Sequence, residues 1–141
     1  MRELQTAELP FNEYLKPAAD MGAWYIDLLK IQCAKLEGVI LLAEDKNACL
    51  GMAVLFTRAE EKGEEEEMPH TFAHISELVV THTARGRGVG KALLDECERR
   101  SRLAGRDELT LAVLSQNEPA KRLYQKSNFE DVKIRMRKKL A

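Results

Sequence analysis

Three glycines fall within five positions of the segment Leu78-Val79-Val80-Thr81-His82-Thr83-Ala84-Arg85-Gly86-Arg87-Gly88-Val89-Gly90-Lys91-Ala92. They divide an apolar run of strand character from a run of helical character. Glycine tolerates positive φ and lets a backbone approach a ligand with no Cβ in the way. The first turn of the helix that follows has N–H groups without intrahelical partners, and the macrodipole favours an anion beside them. Arg85, Arg87 and Lys91 add positive charge to the same turn, so a diphosphate is the guest that suits it. A Walker loop would need glycine in place of Arg85 and Ser or Thr in place of Ala92, and the dinucleotide fingerprint G-x-G-x-x-G is also missed, because the spacing is G-x-G-x-G. The glycines alone would also suit a tight strand-to-helix connector.

The remaining elements arrange themselves around this turn. Asp20 reads as a helix N-cap, with Trp24, Leu28 and Ile31 at helical spacing up to Leu36 and Gly38 closing the helix. Val39–Ala43 and Cys49–Phe56 are apolar runs of strand length joined by the turn residues Asp45, Lys46 and Asn47. Arg58–Pro69, with the acidic run Glu64–Glu67, reads as a solvated loop. Phe72–Val80 is a strand in which simple alternation sends His74 and Glu77 to opposite faces. After the glycine turn comes a helix of about four turns, with Val89, Ala92, Leu93, Cys97 and Leu103 as core candidates. Leu109–Leu114 is a further strand and Asn117–Lys126 a short helix; Val132, Ile134 and Met136 alternate with Lys133, Arg135 and Arg137 as a last strand. The order predicts one α/β domain over residues 1–141, with a mixed sheet covered on both faces.

Composition narrows the class of function. With 45% hydrophobic and 32% charged residues and a net charge of -1, the chain carries no global field that would draw it to nucleic acid or an anionic membrane. The basic stretch Arg135–Lys139 lacks interleaved aromatics, so no nucleic-acid partner is expected. No apolar stretch approaches the roughly 20 residues of a membrane span, and Met1–Pro10 lacks a secretory pattern, which predicts a cytoplasmic protein. Cys33, Cys49 and Cys97 have no metal-ligand spacing and read as buried free thiols, with no metal expected.

Arg85, Gly88 and Gly90 fill the pattern R/Q-x-x-G-x-G/A, and Asn117, Ala120, Leu123-Tyr124 and Phe129 fill N-x-x-A-x-x-L-Y-x-x-x-G-F, with Asn128 in place of its glycine. The segment from Phe72 onward thus resembles the GNAT superfamily of acetyl-CoA-dependent N-acetyltransferases. Asn is the next-best residue at a left-handed helix cap, so the departure is mild. The resemblance implies a mostly antiparallel sheet, splayed where the pantetheine arm of the coenzyme enters, with helices on both faces. A first strand of that fold is hard to find before Phe11, unless Arg2–Gln5 supply it.

By the same resemblance, the backbone of Leu78, Val79 and Val80 pairs with pantetheine and offers an N–H to the thioester carbonyl. Arg85, Gly86, Arg87, Gly88, Val89, Gly90 and Lys91 hold the pyrophosphate, and Asn117 contacts the coenzyme near the thioester. Tyr124 stands where the family often places a tyrosine near the departing sulfur. A phenol of pKa near 10 is a weaker acid than a thiol of about 8.5, so a hydrogen bond to the thiolate suits Tyr124 better than full proton transfer. The acceptor is a primary amine, with a pKa near 10.4 if lysine-like, which calls for a base. His74 stands where relatives carry that group, and Glu77 where some carry an acidic substrate-binding residue; Ala112 removes another familiar candidate. The acceptor pocket is expected from Phe11–Leu36 and Arg58–Thr71, and family habit adds a homodimer. A coenzyme-binding regulatory module without acceptor chemistry is the alternative.

Overall fold

The computed structural model describes residues 23–61 and 68–140. The expectations for Met1–Pro10, Asp20, the acidic run Glu64–Glu67 and the pocket residues from Phe11 to Gly22 lie outside them. Helix α1 spans Ala23–Lys35, followed by strands β1 (Gly38–Asp45), β2 (Ala48–Glu61) and β3 (His70–Val80). A short 3-10 turn at His82–Ala84 leads to helix α2 (Val89–Leu103), strand β4 (Leu109–Leu111) and helix α3 (Glu118–Lys126). The sheet order is β1-β2-β3-β4, antiparallel between the first three and parallel between β3 and β4. This is the mixed, mostly antiparallel sheet expected.

Helix α1 packs on one face of the sheet and α2 on the other. Leu29 joins Val54 and Phe56, with Tyr25, Ile26, Cys33 and Leu36 around them. Leu93, Leu94 and Cys97 of α2 join Leu41, Ala53, Leu55, Ala73 and Ile75 on the opposite face. The face of α1 that is buried is not the one the periodicity favoured. Trp24, Leu28 and Ile31 are 47%, 40% and 53% exposed. Apolar residues occur almost all round this helix, so a 3.6-residue period fits both the stripe of Trp24 and the stripe of Tyr25, Leu29 and Leu36. Packing on the sheet decides between them. On α2, Leu93 and Cys97 are buried as expected, while Ala92 and Leu103 face solvent.

The α1–β1 junction also departs from expectation. Glu37, at φ 50°, takes the left-handed position, and Gly38 opens β1. A Cβ on Gly38 would lie 2.7 Å from Phe56 Cδ1 and 2.9 Å from both Cys33 Cα and Leu55 O, so close approach, not turn geometry, requires glycine there. The β1–β2 turn is as read: Lys46 and Asn47 have φ of 46° and 69°, as the type I′ hairpin turn requires. Strand β2 runs on to Glu61 where a loop was expected from Arg58, because Ala59, Glu60 and Glu61 find partners in Phe72, Thr71 and His70.

Among the described residues the segment Val132–Arg137 joins no ladder, and Val132, Ile134 and Met136 are exposed. Alternation states which side chains share a face; it does not supply the neighbouring backbone that completes a strand. Strand β4 likewise stops at Leu111 instead of running to Leu114. Of the cysteines, Cys97 is buried, Cys33 half-buried and Cys49 exposed, and all three are free thiols; burial raises the pKa of Cys97 to about 11.

Candidate functional site

The site begins where β3 and β4 part. Their parallel pairing runs through Ala73–Leu109, His74–Thr110 and Ile75–Leu111 and then ends, while β3 continues to Val80 with β2 as its one partner strand among the described residues. Five residues of β3, Ser76 to Val80, therefore present main-chain groups to a gap rather than to a strand. A β-bulge lies opposite the same place. Leu55 pairs with Ile75 and Val54 with Glu77, so Ser76 is the additional residue. A bulge increases local twist and bends the strand that carries it, and it falls where the pairing of β3 with β4 ends.

The bulge also corrects the expectation for Glu77. His74 pairs with Phe56 and Glu77 with Val54, and both partners belong to the cluster packed on α1. His74 and Glu77 thus share the α1 face, while Ala73, Ile75 and Leu78 face α2. Each is held by a neighbour. Tyr25 Oη of α1 donates to Glu77 Oε1. His74 Nδ1 lies 2.8 Å from Thr110 Oγ1 on β4, and burial lowers the His74 pKa below its ordinary value of 6.5. Neither Tyr25 nor Thr110 was legible as a site residue. The parity slip was not read either: simple alternation sets His74 and Glu77 on opposite faces, and the additional residue shows only in the pairing with β2.

At the end of β3, Thr81 N–H donates to Leu50 O at 2.8 Å, and Ala84, buried, anchors the 3-10 turn. Gly86 and Gly88 have φ of 75° and 79°, and a Cβ on either would meet nothing within 4 Å. Their side-chain space is open, as a cradle for an incoming group requires. Gly90 serves differently: a Cβ there would lie 3.0 Å from Leu123 Cδ2, so this glycine lets α3 pack against α2. The first bond of α2 runs from Ala92 N–H to Gly88 O at 3.0 Å, leaving the amides of Val89, Gly90 and Lys91 with no carbonyl of their own helix to meet. Arg85 Nε donates to Val80 O at 3.3 Å, Arg87 stands 3.9 Å from Asp45, and Lys91 Nζ donates to Asp95 at 2.6 Å. The last two pairs are more than half exposed, so they compete weakly with an anion.

Helix α3 closes the other side. Asn117 is its N-cap, the side chain accepting from Ala120 N–H at 3.3 Å. This capping role was not anticipated and orients the amide group along the helix start. Asn128, at φ 63°, occupies the left-handed cap. Asn128 N–H donates to Gln125 O and Phe129 N–H to Tyr124 O, both at 3.0 Å, the paired bonds of a Schellman motif. Tyr124 packs with Leu123 and Phe129 against the α2-side core, its ring edge-on to Phe129 at 6.0 Å. Tyr124 thus lies on the α2 side of the sheet, and His74 and Glu77 on the α1 side. Among the described residues no cluster of three or more metal-ligating side chains occurs, and no helix is long and apolar enough to cross a membrane.

The sheet thus opens beside a glycine turn lined by main-chain amides. The family model described as "Acetyltransferase (GNAT) family" matches residues 1–129, and the chain belongs to that family. It is 36% identical over 73 residues to the uncharacterized N-acetyltransferase YdgE of Bacillus subtilis (strain 168), an alignment covering 52% of this chain and 46% of the relative. The aligned part thus spans about half the length of that curated protein. In fold it is similar to a mutant form of the BH1408 protein from Bacillus halodurans, at TM-score 0.82 and 17% identity over 99% of this chain and 88% of the other. It is also similar to a predicted acetyltransferase from Clostridium acetobutylicum, solved with acetyl-CoA, at TM-score 0.69 and 17% identity over 98% and 86% of the two chains.

Proposed function

We propose that this chain is an N-acetyltransferase that moves the acetyl group of acetyl-CoA directly to a primary amine, both substrates being bound together. The observation that carries the reading is the junction of two features: β3 loses β4 after Ile75, and the same strand leads into a turn whose glycines leave open space above unpaired amides. Pantetheine is itself an extended chain of amides, suited to the main-chain groups of Leu78, Val79 and Val80. Its pyrophosphate suits the turn from Arg85 to Lys91. The thioester supplies the acetyl group.

The chain's own residues then have distinct tasks. A main-chain N–H at the gap stabilises the oxyanion as it develops. His74, kept neutral by burial, accepts the proton of the attacking amine. Deprotonating a lysine-like amine at neutral pH requires about 4–5 kcal/mol, so a base already in its neutral form is useful there. Glu77, held by Tyr25, faces the same side and favours a cationic acceptor. Tyr124, from the α2 side, donates a hydrogen bond to the departing thiolate. The deciding experiment offers purified protein acetyl-CoA with a broad amine panel, scoring free thiol and acetylated amine together. Turnover with at least one amine is expected. Tight acetyl-CoA binding with no turnover on any amine would favour a coenzyme-binding regulatory module, and absence of binding would remove the coenzyme site altogether.

A further inference from the structure

We infer that Thr110 is a positioning residue that fixes the tautomer of His74, placing the ring proton on Nδ1 and leaving Nε2 as a bare acceptor. The inference rests on the proposed reaction only for its kinetic consequence; the tautomer rests on giving the one hydroxyl proton of Thr110 to Ala73 O. Thr110 Oγ1 contacts two groups, His74 Nδ1 at 2.8 Å and the main-chain oxygen of Ala73 at 3.4 Å. A carbonyl oxygen can only accept, and a hydroxyl has one proton. With that proton directed to Ala73 O, the hydroxyl can meet Nδ1 only as an acceptor, so Nδ1 carries the hydrogen. In a neutral imidazole the other nitrogen then has a free lone pair.

The fold makes this arrangement firm. Thr110 is the central residue of the three-residue strand β4, directly opposite His74 in the parallel register. Ala73 is tied to the residue just before the same strand through its own N–H, which donates to Glu108 O at 2.9 Å. Hydroxyl, ring and carbonyl thus sit on the last paired stretch before the gap opens. A base that must take a proton needs its acceptor nitrogen unprotonated, and a hydroxyl on the far nitrogen secures that without placing a second charge in the site.

The test uses long-range proton–nitrogen NMR on the full chain with ¹⁵N-labelled histidine, at a pH well above the histidine range. The His74 signals are assigned by their loss in His74→Gln. The wild-type spectrum is expected to show the Nδ1–H form, Thr110→Val to move His74 toward the Nε2–H form, and Thr110→Ser to restore the wild-type pattern. With an accepted amine, Thr110→Val should lower kcat about tenfold with the KM for acetyl-CoA unchanged, and Thr110→Ser should rescue it. A wild-type His74 protonated on Nε2 would overturn the inference, whatever the activity. So would an unaltered spectrum in folded Thr110→Val. Should the tautomer behave as stated while Thr110→Val turns over like wild type, the positioning role falls and the acetyl-transfer reading is untouched. Should wild type acetylate no amine, that reading falls and the spectrum still decides the tautomer.

Discussion

Replacing Gly88 by Asp and, in parallel, by Asn separates the charge of the glycine turn from its shape. Gly88 has φ of 79° and open space where a Cβ would go, so both variants meet backbone strain and no steric clash. Left-handed backbone costs an L-residue about 1 kcal/mol, at the low end for Asn and Asp. For a chain of this length that lowers Tm by about 3 °C, and both variants should remain folded. The carboxylate adds repulsion. At about 6 Å from one phosphate charge and an effective dielectric of about 20, it amounts to about 3 kcal/mol, or about 100-fold in Kd. Isothermal titration with acetyl-CoA should therefore find Gly88→Asp at least about 100-fold weaker than Gly88→Asn, a difference that narrows with added salt. Equal affinities for the two variants, both folded, would refute the placement of phosphate at this turn.

Tyr124→Phe keeps the edge-on ring contact with Phe129 and removes only the hydroxyl. Loss of a hydrogen bond to a charged group, about 1.5–3 kcal/mol, should lower kcat about 10- to 100-fold with little change in KM for acetyl-CoA; wild-type turnover would take Tyr124 out of the mechanism. His74 acts in its neutral form, so the rate should fall as pH drops through a pKa below 6.5, and His74→Ala should abolish that acidic limb. The same depressed pKa means that the unfolded chain binds the proton more readily. Wild-type stability should decline as pH falls from about 6.5 toward the lowered value, a decline that His74→Ala lessens in pH-dependent melts. Gly38→Ala forces a Cβ to within 2.9 Å of main-chain atoms and should cost about 3 kcal/mol. Gly86→Ala, in open space at positive φ, should cost about 1 kcal/mol; equal denaturant midpoints for the two would contradict the packing.

Elements with their own local signals were legible from the residues. The glycine turn, the Asn128 end of α3 and the Lys46-Asn47 turn are set by backbone conformations that few residue types accept. Core runs such as Val54–Phe56 declare burial through composition. What could not be read depends on partners distant in sequence. The exposed face of α1 was misassigned because both its stripes are apolar. The length of β4 depends on what β3 does beside it, and the ladder expected around Ile134 needed a neighbour that no pattern specifies. At the site, His74 and Glu77 were identified singly through a family resemblance, yet their common face required the bulge at Ser76, and Tyr25 and Thr110 enter only through contacts across 52 and 36 positions.

The early separation of β3 from β4 has a kinetic consequence. Pairing of β3 with β4 ends at Ile75, where β3 carries one surplus residue, so on the proposed reading an arriving chain of amides need not first prise two strands apart. The entropy lost on docking then falls mainly on the visitor. Entry should be limited by diffusion and desolvation rather than by a conformational gate, with association rates insensitive to viscogens that slow internal protein motion but not small-molecule encounter.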